Sequence, residues 1–85
     1  MGSDNMNRIS IKDLKKKNET VNMKLYKLIH APYFISVHPD NEGGYVVSYQ
    51  DIRHLGVYPI CSGNLRKCYT FLQGIEGCID MICSH

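Results

Sequence analysis

No apolar run in the 85 residues reaches the roughly 18–20 positions a membrane-crossing helix needs, and the polar start MGSDNMNR lacks the apolar stretch of a secretory signal. These absences lead to the expectation of a soluble, unexported, cytoplasmic chain. Equally absent are a glycine-rich phosphate loop, an HExxH pair and a nucleophile elbow. The expectation is therefore a protein that is not an enzyme and carries no cofactor. His30, His38, His54 and His85 are acids and bases in principle. A histidine on a short hairpin is more often a surface or packing residue, and a thin core seldom builds a pocket that excludes water.

The paired two-residue cysteine spacing of zinc ribbons is missing too, since Cys61, Cys68, Cys78 and Cys83 stand seven, ten and five residues apart. With no export signal, a reducing compartment argues against disulfides. A cluster of Cys78, Cys83 and His85 is the one metal arrangement worth naming. Small thiols on an apolar face explain the same residues more simply, so no metal is expected.

What is present is ordinary globular material: 44% hydrophobic and 21% charged residues in a chain long enough for one domain. At this length folding buries only roughly 60–65% of the surface the unfolded chain exposes. The net charge of +2 conceals a division. Seven of the ten basic residues fall in the first 27 positions, which carry +4, while residues 28–85 carry −2. The pattern reads as a basic N-terminal extension over residues 1–20, either a short helix or disordered, followed by a single α+β domain over 21–85. Lys12, Lys15, Lys16 and Lys17 in that extension form a candidate phosphate-contacting arm for nucleic acid, although a solvated tail is the plainer account of a charge run.

Ser10 followed by Asp13 has the form of a capping box, with Ile11 and Leu14 as a single apolar step before KKKNET. Residues 21–29, VNMKLYKLI, fit either an alternating strand or a helical face, and periodicity does not decide between them. Next comes the clearest signal in the chain. YFISVH and GYVVSYQ flank a loop holding Pro39, Asp40, Asn41, Gly43 and Gly44, which predicts a β-hairpin with Ile35 and Val37 sharing a face with Tyr45, Val47 and Tyr49. A third strand is expected over Leu55–Ile60, with Pro59 pushing it toward a sheet edge or a strand end. From Asn64 onward Leu65, Cys68, Leu72, Ile75, Ile79 and Ile82 recur at helical intervals, capped by Ser62 or Asn64. Gly74 and Gly77 each cost about 1 kcal/mol in a helix interior, so the helix is expected to stop there or give way to a short strand, CIDMIC. The predicted fold is a small three-stranded antiparallel sheet packed by one C-terminal helix, in the order β-β-β-α.

Residues 33–52, YFISVHPDNEGGYVVSYQDI, resemble the opening of the HicB antitoxin family: a strand, a loop ending in EGGY, a strand of the form xVSF and a PD or VD step. The matching residues are Tyr33, Pro39, Glu42, Gly43, Gly44, Tyr45, Val47, Ser48, Tyr49, Asp51 and Ile52. The resemblance implies a β-β-β-α domain that binds a small basic RNA-cleaving toxin and blocks its active site. It suggests an antitoxin-like protein from a prophage or mobile element, acting by stoichiometric binding. Candidate partner contacts are Asp40, Asn41 and Glu42 in the hairpin loop, and Asp51 and His54 after the second strand. Two other readings stand beside it: a nucleic-acid-associated regulator using the lysine arm, and self-association through the exposed sheet edge.

Overall fold

Ser10 starts the first helix. Its backbone is extended, its hydroxyl accepts from the Asp13 N–H at 3.2 Å, and the Asp13 carboxylate accepts from the Ser10 N–H at 3.0 Å. This reciprocal pair satisfies two amides that a helix start leaves open. In the computed structural model, which describes residues 9–30, 33–51, 53 and 56–84, the resulting helix α1 spans Ile11–Ile29. Residues 11–20 are thus the first half of a core helix rather than an appended arm, and the expected boundary between residues 20 and 21 falls inside it. KKKNET does not end the pattern because Leu14 and Val21, about two turns apart, are both fully buried. Leu25 continues the same stripe against the core, which settles residues 21–29 as helix. The helix ends at His30 in the left-handed conformation (φ 51°, ψ 27°), its N–H donating to the Tyr26 carbonyl at 2.8 Å.

Three antiparallel strands follow: β1 (Tyr33–Pro39), β2 (Tyr45–Asp51) and β3 (Gly56–Gly63), in spatial order β1-β2-β3. The expected hairpin is present, and its register sets Ile35 opposite Tyr49, Val37 opposite Val47 and Pro39 opposite Tyr45, consistent with the expected shared face. In its loop, Gly43 takes a positive φ of 83°. Gly44 lies so close to β3 that a Cβ there would sit 2.6 Å from the Gly63 carbonyl oxygen. The third strand covers the expected residues from Gly56 to Ile60 and runs three further, while Leu55 lies outside the described residues. A bulge between Val47 and Ser48 leaves Ile60 without a partner on β2, so that Cys61 faces Val47 while Pro59 faces Ser48.

Helix α2 spans Leu65–Cys83, with the Asn64 side chain accepting from the Lys67 N–H at 2.8 Å as its N-cap. It runs straight through Gly74 and Gly77, and residues 78–83 are helical. The physical reason is burial. Cys68, Leu72 and Ile79 are all buried along one face, and enclosing each large aliphatic side chain contributes roughly 1.5–3 kcal/mol, enough to outweigh the two glycines. A Cβ at Gly77 would meet nothing within 4 Å, so Gly77→Ala should raise stability by about 1 kcal/mol in urea unfolding.

Leu14, Val21, Ile35, Val47, Cys68 and Leu72 form one buried cluster, which places both helices on the same face of the sheet. The molecule is a two-layer α+β domain of order helix, three strands, helix. The predicted β-β-β-α core is present, with α1 as an additional integral element.

Candidate protein-binding surface

A three-stranded sheet has two edges, and here they are treated differently. On β1 the Asn22 amide, projecting from α1, donates to the Ile35 carbonyl at 2.8 Å and accepts from the Ile35 N–H at 2.6 Å. One side chain thereby occupies the outward backbone donor and acceptor at Ile35, near the middle of β1, and blunts that edge there. On β3 no comparable side-chain amide covers the outer edge among the described residues. Pro59 and the bulge interrupt it without hiding it.

The open edge is also apolar. Val57, Tyr58 and Ile60 are 52%, 49% and 41% exposed. Tyr58 is held by stacking on Tyr49 of β2, ring centroids 5.5 Å apart and planes 28° from parallel. A tyrosine fixed in this way presents contact area while losing little side-chain freedom on binding, which is why tyrosine recurs at the energetic centres of protein interfaces. Gly56 pairs with Asp51, so the tyrosines lie at the Asp51 end of the sheet.

The residues singled out from the sequence do not form one site. Asp40 precedes β2 and Asp51 is its last residue, so the length of the strand separates them by about 20 Å at roughly 3.3 Å per residue. Asp40 is occupied structurally: its Oδ1 accepts from the Glu42 N–H at 2.8 Å and the Gly44 N–H at 2.7 Å, closing the hairpin loop. Asp51 is 6% exposed and accepts from the Arg53 N–H at 3.0 Å. Asn41 and Glu42 are exposed on the loop. His54 lies outside the described residues. Of the four described residues, only Asp51 adjoins the tyrosine surface.

The lysine arm is likewise divided. Lys12, Lys15 and Lys16 are exposed on α1. Lys17 instead donates to Glu76 of α2 at 2.6 Å and lies 5.5 Å from the Tyr69 ring centre. Lys24 completes the network, reaching Glu76 at 3.0 Å and Asp80 at 2.8 Å. These pairs tie the two helices together. The hydrogen bond from Lys17, followed by that from Lys24, holds the Glu76 carboxyl below the usual carboxylate range. The bond to Glu76 pushes Lys17 up, and bonds to Asp80 and then Glu76 push Lys24 up. Because the Glu76 pKa is depressed on folding, its contribution is present above the unfolded-state value and is lost as pH falls through the folded one. Glu76→Gln should therefore lower stability by up to about 1 kcal/mol at neutral pH. Urea titrations repeated at falling pH should show the difference between variant and parent start to shrink near the unfolded carboxyl value of about 4.3 and vanish only below the depressed folded one.

Cys61 and Cys68 are neighbours between β3 and α2, and burial pushes the Cys68 thiol up. Its Sγ lies 3.5 Å from the Tyr45 carbonyl oxygen. Cys78 and Cys83 are exposed on α2, and His85 lies outside the described residues. Among the described residues no three metal-ligating side chains converge, and no helix is long and apolar enough to cross a membrane.

Sequence reasoning placed β3 at an edge but missed the exposed cluster of Tyr58, Val57 and Ile60 there, because no local pattern reports that Asn22 blunts the opposite edge. Compared with protein-family models, curated proteins and solved structures, the chain matches none.

Proposed function

We propose that this chain is a protein-binding domain that neutralises or regulates a partner by stoichiometric occupation, in the manner of the HicB-type antitoxins that residues 33–52 resemble. It works in the cytoplasm, binds rather than catalyses, and meets its partner at the open β3 edge. The observation that carries this reading is the contrast between the edges: β1 is closed by Asn22, while β3 exposes Val57, Ile60 and the stacked Tyr58. Small basic ribonucleases are the partner class the resemblance implies. The net −2 of residues 28–85 favours encounter with a basic surface, though only modestly. Exposed Asn41 and Glu42 supply charge and polarity away from the tyrosines, at the opposite end of β2.

The test is affinity capture by the full chain from nuclease-treated lysate of its source cells, followed by mass spectrometry. The expected result is a small basic protein retained in about equimolar amount at moderate salt, and lost at least about tenfold when Tyr58→Ala is the bait. Recovery of nucleic acid alone, released steeply by added salt, would instead favour the Lys12, Lys15 and Lys16 arm. Recovery of nothing would also count against the reading.

A further inference from the structure

The outer flank of α2, on the side away from α1, carries an apolar groove lined by Thr70, Phe71, Gly74, Ile75, Cys78 and Ile82. Ile82 is 59% exposed, and apart from the adjoining backbone of its own helix no described atom lies within 4 Å of where a Gly74 Cβ would be. Among the described residues nothing requires glycine at position 74, at the middle of a nineteen-residue helix. A close approach from outside would.

From this groove we infer that a second copy of the chain docks on it, α2 against α2 in antiparallel orientation about a two-fold axis passing between Gly74 and Ile75. Size complementarity selects this occupant. With the axis there, Phe71 faces Cys78 of the second copy and Ile75 faces Gly74 of the second copy, so each large side chain meets a small one and the symmetry repeats both pairings. Charge agrees with size. Lys67 lines the same flank, and α2 has no basic residue in its last turn and no acidic residue in its first. The antiparallel arrangement carries Lys67 to the last turn of the second copy, beside Ile82 and the helix's outward-facing carbonyls, where a cation is favoured. Ile60 and Pro59 of β3 border the groove through Phe71 and widen the contact. A single helix crossing with this margin falls at the small end of interface sizes, where stable complexes typically bury roughly 800 Å² per partner, so a weak dimer is expected. This inference does not depend on the identity of any other partner.

Sedimentation equilibrium of the full chain from about 1 to 500 μM tests it. The expected mass rises from 9.7 kDa toward twice that value across the range. Gly74→Glu sits where nothing in the monomer is displaced and favours helix, so it should keep the circular-dichroism spectrum while weakening association at least tenfold. Lys67→Glu should weaken it severalfold, and more at low salt than at high salt. A chain that stays monomeric throughout would overturn the inference. So would a dimer indifferent to Gly74→Glu, and one that Tyr58→Ala abolishes instead would move the contact to the β3 edge.

Discussion

Leu72→Ala should lose about 3–5 kcal/mol of unfolding free energy, the largest effect expected from any single aliphatic truncation in this chain. Leu72 has no exposed surface and belongs to the cluster in which Leu14 and Val21 of α1, Ile35 and Val47 of the sheet, and Cys68 of α2 meet. It therefore touches both layers, and neither can close over the vacated space without shifting the other. For a domain of this length the whole stability is about 4–13 kcal/mol, so the loss is a large part of the total. The measurement is urea unfolding, with the midpoint falling sharply and the slope little changed. Met81→Ala on the same helix is the control: Met81 is 67% exposed, and its truncation should stay within about 0.5 kcal/mol. A Leu72→Ala loss under about 1 kcal/mol would mean that α1 and α2 do not share one core.

Asn22→Leu should cost about 2–4 kcal/mol, because it strips a donor and an acceptor from Ile35 at once and leaves half-buried backbone groups unsatisfied, at about 1–3 kcal/mol each. A second consequence is specific to this residue. Opening the β1 edge gives the sheet two unprotected sides, so the variant should associate with rising concentration while the parent does not do so through β1. Hydrogen exchange at the Ile35 amide reads the local event directly: protection should fall well beyond the change expected from global destabilisation alone. Unchanged protection would show that the amide pairing contributes nothing to the edge.

Asn22 also marks where legibility ends. The hairpin was readable because alternation, turn residues and glycines all agree over Ile35–Tyr49, and each of those signals is local. The helical stripe of α2 was readable for the same reason. Its continuation past Gly74 and Gly77 was not, because propensity gave way to the burial of Ile79, a tertiary fact. The first helix was under-read for a related cause. KKKNET looks like a solvated break until Lys17 is seen to reach Glu76, fifty-nine residues away. The candidate contacts fared similarly. Asp40, Asn41 and Glu42 stand out as a polar loop, but whether a carboxylate faces a partner or its own backbone depends on turn geometry, and Asp40 faces its backbone. That β3 lies at an edge is legible from Pro59, whereas the blunting of the opposite edge by Asn22 is a relation between α1 and β1 that no window of sequence contains.

The most direct test of partner binding is isothermal titration of the captured protein into the parent chain and into Tyr58→Ala, at two salt concentrations. The account expects one partner per chain, a negative heat-capacity change from apolar burial, and modest salt dependence. It also expects affinity to fall by at least about tenfold in the variant, about 1.4 kcal/mol or more. Equal affinity for parent and Tyr58→Ala would contradict it, because the open β3 edge would then not be where the partner binds.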